Sequence, residues 1–292
     1  MPGSEQNKNQ ERLGLIVHPF RVFLIEAFLF IIILSLGNVV AFKFSKILKV
    51  QKISLPGLSF WQFLLYFLFF TLFILFVSFS RKFKKGKSFV FKSLFIFSVF
   101  SGGLFSLNIW LGDFFSLILI LILIIWWIKK PTVLNHNILI VLGISGVGGI
   151  LGLELKPLTV VFLLIIFSIY DFIAVYRTKH MVKMAKEMIS SGAILGIIVP
   201  QNILDFKEEL REVRPGGRFL ILGGGDIAFP LLFSASLISQ GILNSLIVAG
   251  FSLIGLFSGF YFFIRQKKCK PIPALPLIAI FSIVGYIITK LL

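Results

Sequence analysis

The chain has 292 residues, 58% of them hydrophobic and 14% charged, with a mean hydropathy of +1.01 and a formal net charge of +17. Such values lie outside the soluble globular range, and Cys269 as the one cysteine excludes an internal disulfide and any Cys-rich metal site. The basic residues stand in short clusters between apolar runs and not along one face or arm, which fits membrane topology and anionic headgroups and argues against nucleic acid.

Apolar runs long enough to cross a bilayer, about 20 residues each, are predicted at Pro19–Phe42, Leu58–Ser80, Ser88–Ser106, Trp110–Ile128, Val133–Leu153, Pro157–Tyr176, Phe219–Ser239, Leu243–Ile264 and Ile272–Leu292. The first is preceded by a polar stretch with Lys8 and Arg12, and it is too long for the apolar region of a signal peptide, about 7 to 15 residues. It is therefore expected to stay as a span. The third and fourth runs share a short link around Asn108. Trp61, Trp110, Trp126 and Trp127 all fall near predicted ends, where interfacial aromatic residues belong. No run alternates with the two-residue period of a barrel strand, so the expected class is all-α, a polytopic membrane protein with nine transmembrane helices. One membrane domain covers 1–292, with spans one to six in 1–177, a cytoplasmic loop in 178–217 and spans seven to nine in 218–292.

Loop charge sets the expected orientation. With the amino terminus in the cytoplasm, 22 of the 29 basic residues fall on that side, and Lys43, Lys46, Lys49, Lys52, Lys156 and Lys290 fall on the other. The positive-inside rule then places the carboxyl terminus outside. The four lysines before the second span run against the trend. Between the sixth and seventh spans, Thr178–Gly217 holds an amphipathic Met181–Ile189, an apolar Ala193–Val199 and a charged Asp205–Arg214. It is read as a solvated loop with an interfacial helix, the alternative being a lid or plug over a site between the spans it joins.

Of the 12 acidic residues only Glu26, Asp171 and Asp226 lie inside apolar runs. Glu26 stands five residues past Arg21 and is expected to reach back to the near interface. Asp171 stands six residues before Arg177, and Asp226 eight after Arg218, so at 1.5 Å per residue they lie roughly 9 and 12 Å from the same boundary. An acid in lipid is costly and marks function by default. Two close carboxylates in a low-dielectric site do not both ionise easily, which suits an aspartic protease: one group takes a proton from water while the other polarises the scissile carbonyl. Depth alone leaves a proton or cation pathway equally open.

Three motifs narrow the choice. Tyr170-Asp171 on the sixth span, Gly223-Gly224-Gly225-Asp226 on the seventh and Pro273-Ala274-Leu275-Pro276 at the start of the ninth resemble the Tyr-Asp, Gly-x-Gly-Asp and Pro-Ala-Leu signatures of the presenilin and signal peptide peptidase family of intramembrane aspartyl proteases. The nine-span count and the long loop match that family too. The resemblance implies catalytic roles for Asp171 and Asp226, with Tyr170, Gly223, Gly224, Gly225, Pro273, Ala274 and Leu275 shaping the site. It implies a transmembrane helix of another protein as substrate, in the lipid bilayer, with no cofactor and no metal. Glycines at 223 and 225 allow close backbone approach and a strand-like edge for an extended substrate, and Pro273 and Pro276 limit helix at the start of the last span. The Ile227–Phe233 continuation resembles the signal peptide peptidase branch, whereas the charge count fits the presenilin orientation. The short external loops resemble a compact microbial or archaeal member that acts without partner subunits.

Other chemistries are weaker. Gly143-Ile144-Ser145-Gly146 fits a rhomboid serine protease pattern, but a serine nucleophile needs a base, and His18, His136 and His180 all lie outside the interior of later spans. Ser145, Gly148 and Gly152 are read as a small-residue packing face. No His-Glu-x-x-His helix exists. Prepilin peptidases share the Gly-x-Gly-Asp motif but not the other two. A proton- or cation-coupled transporter would place acids on facing helices, yet no internal repeat is evident.

Overall fold

A computed structural model describes residues 19–53, 57–79, 87–178, 180–214, 218–266 and 271–292. The amino-terminal segment with Lys8, Arg12 and His18, the basic stretch 80–86 and Cys269 lie outside the described residues. The elements are α1 (Pro19–Gln51), α2 (Phe60–Phe79), α3 (Lys87–Lys129), α4 (Val133–Glu154), α5 (Pro157–Tyr176), α6 (His180–Ser191), β1 (Gly196–Pro200), β2 (Phe219–Gly223), α7 (Gly224–Ser236), α8 (Ile242–Ile264) and α9 (Leu275–Leu291). Short 3₁₀ turns at Ile203–Lys207 and Leu210–Glu212 link the strands.

Over the described residues, α1, α3, α4, α5 and α8 are long and apolar enough to cross a membrane. Their outward faces carry bare Phe, Leu and Ile side chains, as at Phe28 of α1 and Phe97 of α3, which is favourable only against lipid. The protein is an integral membrane protein.

At the centre stands α4, against α1, α3 and α7. Its small residues explain this. A side chain at Gly143 would meet Val99 of α3, one at Gly148 would meet Leu231 of α7, and one at Gly149 would meet the Gly37 carbonyl of α1, so three helices approach α4 closely on different sides. Ser145 Oγ donates to the Ile33 carbonyl of α1 at 3.2 Å. Packing, not nucleophilic chemistry, is what the Gly-Ile-Ser-Gly segment does.

Three expectations need correction. First, the protein is mostly helical but not all-α: β1 and β2 pair antiparallel, with Gly196 opposite Gly223 and Pro200 opposite Phe219. The later part of the apolar Ala193–Val199, from Gly196 on, and the start of the seventh span are thus strands, and helix begins only at Gly224. Ile197, Ile198 and Val199 favour extended backbone because their β-branched side chains are stiff in a helix. Second, the break between the third and fourth runs is at Gly112, with φ 74° and ψ 172°, and not at Asn108. Only glycine adopts that conformation without strain. The chain folds back there, which brings Ile120 against Gly103 and the Phe95 ring to 4.6 Å from that of Trp127. Third, Glu26 does not reach the interface; it is buried. The remaining predicted spans agree with helices to within a few residues, apart from α1, which continues nine residues further to Gln51.

Candidate active site

Asp171 lies on the buried stripe of α5 formed by Val160, Leu163, Leu164, Phe167 and Ala174, the i, i+3, i+4 pattern of a helix face turned inward. It is 5% exposed. One turn before it, the Phe167 ring sits 4.3 Å from Phe67 of α2 and 4.6 Å from Phe229 of α7. This aromatic contact fixes the level of α5 against α7.

Asp226 is placed by local chain geometry. Strand β2 ends at Gly223, the N-cap of α7, and Asp226 is the third helical residue. The Gly223 amide interacts with the Asp226 carboxylate, so the acid is placed by the turn that starts its own helix. A Cβ at Gly223 would stand 3.1 Å from Asp226 Oδ2, and one at Gly224 would stand 2.9 Å from the Leu195 carbonyl, which accepts the Gly224 amide at 2.8 Å. Gly225 is different: it is exposed, and a Cβ there would find only the Phe229 ring at 3.8 Å.

The third motif closes the site. Pro273 and Ala274 precede the helix, and Leu275 opens α9, with Pro276 in its first turn. The first amides of a helix have no partner within it. Here the Leu275 amide interacts with both Asp171 and Asp226. The two carboxylates interact electrostatically, and Asp171 Oδ2 has no hydrogen-bond partner among the described residues. Tyr170 is 40% exposed and interacts electrostatically with Asp171. Acids on two helices thus share one donor from a third. The arrangement can hold a water between two oxygens and orient it toward a carbonyl.

A match to the family model described as "Signal-peptide peptidase, presenilin aspartyl protease" covers residues 25–292. The chain belongs to that family. It is an intramembrane aspartyl protease. Two solved structures share the fold of this presenilin-family protease, both of a presenilin family intramembrane aspartate protease. The form in space group C222 is 23% identical, with a TM-score of 0.59, over 90% of this chain and 98% of that one. The form in P2 is 22% identical, with a TM-score of 0.52, over 89% of this chain and 95% of that one. No curated protein matches the chain.

Some parts of this candidate site were not expected from sequence. Asn137 on α4 donates to the Ile198 carbonyl at 2.7 Å and accepts the Ile198 amide at 2.9 Å. Beside it, His136 Nε2 lies 3.2 Å from the Gly196 carbonyl and its ring stacks on Phe95. These two side chains cover the far edge of β1. Their signal was visible: three polar residues, Asn135, His136 and Asn137, in an otherwise apolar run. The loop after β1 is held in turn by a bridge between Thr132 and Glu209 and by the Leu210 amide on the Pro131 carbonyl.

Proposed function

We propose that Asp171 and Asp226 are the catalytic dyad and that they hydrolyse a peptide bond within a transmembrane helix of another protein. The observation that carries this is the Leu275 amide shared by both carboxylates. The dyad holds one proton. The ionised acid takes a proton from water, the protonated one gives its proton to the carbonyl oxygen, and the water oxygen bonds to the carbonyl carbon to form a diol. Collapse of the diol returns a proton to the dyad, breaks the C–N bond and protonates the leaving amine. The chemistry asks for no metal or cofactor.

A helix protects its own peptide bonds, so the substrate has to be extended beside the acids. Antiparallel ladders alternate bonded and non-bonded pairs. Because Ile198 gives its amide and carbonyl to Asn137, the pair Ile198 and Ile221 is of the non-bonded kind. The backbone groups of Phe219, Ile221 and Gly223 then face away from β1, toward an edge that no strand occupies among the described residues. A substrate strand added there runs directly to Asp226. Pro273, Ala274 and Leu275 bound the same place, and Gly225 leaves room for the substrate backbone.

We read the whole chain as one membrane domain of nine spans, with α3 supplying the third and fourth, the amino terminus in the cytoplasm and the carboxyl terminus outside. The excess of basic residues on one side supports this orientation. Cleavage needs no partner subunit.

The test uses purified full-length protein in liposomes with a single-span transmembrane peptide, with products read by mass spectrometry. Wild type yields defined fragments, and Asp171→Asn and Asp226→Asn each reduce the rate at least about a thousandfold. Cleavage that survives either substitution overturns the dyad. Acid-dependent proton or cation flux without cleavage would make the chain a transporter instead.

A further inference from the structure

The two strands beside Asp226 differ in what their outer edges offer. The Leu195 carbonyl accepts the Gly224 amide at 2.8 Å and the Gln201 amide donates to the Arg218 carbonyl at 3.0 Å, so along β1 the odd-numbered residues turn their backbone groups toward β2. Gly196, Ile198 and Pro200 turn theirs away. Asn137 of α4 donates to the Ile198 carbonyl at 2.7 Å and accepts the Ile198 amide at 2.9 Å, His136 Nε2 lies 3.2 Å from the Gly196 carbonyl, and Pro200 has no amide to give. The middle of that edge is closed. On β2 the outward groups are those of Phe219, Ile221 and Gly223, and no strand pairs with them among the described residues.

Asn137 therefore stands in for one residue of a third strand. Its side-chain amide repeats the donor and the acceptor of a peptide group, and both bonds go to the same residue of β1. Asn137 is 2% exposed and Ile198 fully buried. A buried amide on an apolar helix is costly unless its polar atoms are bonded, and the bonds that satisfy Asn137 are the ones that hold β1.

This contact fixes the phase of the sheet. Side chains and backbone groups along a strand alternate with a period of two, so a slip of one residue exchanges inward and outward groups. Asn137 holds the Ile198 groups outward. The ladder passes that phase to β2 through the pairs Ile197–Leu222 and Val199–Leu220, and β2 passes it to its open edge. Gly223, the last outward residue, is the N-cap of α7, three residues before Asp226. The phase of the sheet thus decides which residue of an added strand stands beside the acid.

We propose that Asn137 is a positioning residue for the cleavage reaction: by locking the phase of β1 it fixes the register in which a substrate strand pairs with β2, and so selects one scissile bond. The proposal rests on the dyad and the open edge of β2 described above. The same two bonds close β1 to a competing strand, so the substrate adds only along β2.

The experiment uses full-length protein in liposomes with a single-span transmembrane peptide, and mass spectrometry of both fragments gives the position of every cut. Asn137→Leu, close in size and without hydrogen-bonding groups, raises the ratio of cuts at neighbouring bonds to cuts at the principal bond about tenfold over wild type, the scale of a lost pair of hydrogen bonds. Asn137→Asp is isosteric and still accepts the Ile198 amide, so it raises the ratio less. Asn135→Ala is the control: Asn135 accepts the Thr132 amide and donates to the Lys130 carbonyl, so its loss loosens the start of the same helix and leaves the product pattern as in wild type. An unchanged pattern in Asn137→Leu overturns the proposal, and so does equal broadening in Asn135→Ala. If Asn137→Leu does not fold or does not cleave, Asn137→Asp decides, and a wild-type pattern there overturns it. Loss of cleavage in Asp226→Asn together with an unchanged pattern in Asn137→Leu overturns the register role alone. Cleavage that persists in Asp226→Asn overturns the dyad first.

Discussion

The rings of Phe167 and Phe229 lie with centroids 4.6 Å apart, and each is one helical turn from an acid of the site. Asp171 follows Phe167 by four residues and Asp226 precedes Phe229 by three, so on antiparallel neighbours one aromatic contact brings both carboxylates to a common level. Phe67 of α2 closes the cluster from the outside. In lipid no hydrophobic force drives helices together, and packing of this kind carries the registration.

Phe229→Ala removes that contact from a 9% exposed site. The expected cost is about 3 to 5 kcal/mol of stability, read by thermal unfolding in detergent. Because the acids lose their alignment, kcat falls more than tenfold while KM stays. A variant as stable and as active as wild type would show that the ring contact does not set the dyad.

Gly223 and Gly225 separate two roles within one motif. Gly223→Ala puts a Cβ 3.1 Å from Asp226 Oδ2 and is expected to reduce cleavage at least a hundredfold, since displacement of an acid by about 1 Å is that costly. Gly225→Ala meets only the Phe229 ring at 3.8 Å, so the enzyme folds normally and its loss is confined to substrate binding, seen as a raised KM. Equal effects on kcat would contradict this division.

Leu275→Pro tests the shared amide. Proline at the first position of a helix is favoured, so α9 still forms, but the N–H that both carboxylates use is gone. Cleavage is expected to fall about a hundredfold, as when one preorganised donor is removed from an active site. The control is Leu275→Ala, which keeps the amide and is expected to retain far more of kcat. A Pro variant that matches the Ala variant would sink the role assigned to this donor.

Asn137→Leu leaves the buried amide and carbonyl of Ile198 without their partner. Each unpaired group costs about 1 to 3 kcal/mol. Hydrogen exchange at the Ile198 amide should speed up by at least tenfold, and the sheet beside Asp226 should loosen. Unchanged protection would mean that the strand pair holds without α4.

Legible along the chain were the long apolar helices, the amphipathic α6, the three motifs and the placing of Asp171 and Asp226 on consecutive apolar runs. These follow from composition and spacing along the chain, where each residue contributes locally. What the sequence did not determine was which face of each helix turns inward. A helix in lipid is apolar all round, so periodicity does not separate core from surface. Packing across the bundle is what buries Glu26 away from the interface, sets Phe167 against Phe229, and brings the start of α9 to both acids. The strands were lost for a related reason: a short apolar run reads alike as helix or strand, and Gly196–Pro200 and Phe219–Gly223 become a sheet only by pairing with each other, with Asn137 satisfying the edge that pairing leaves bare.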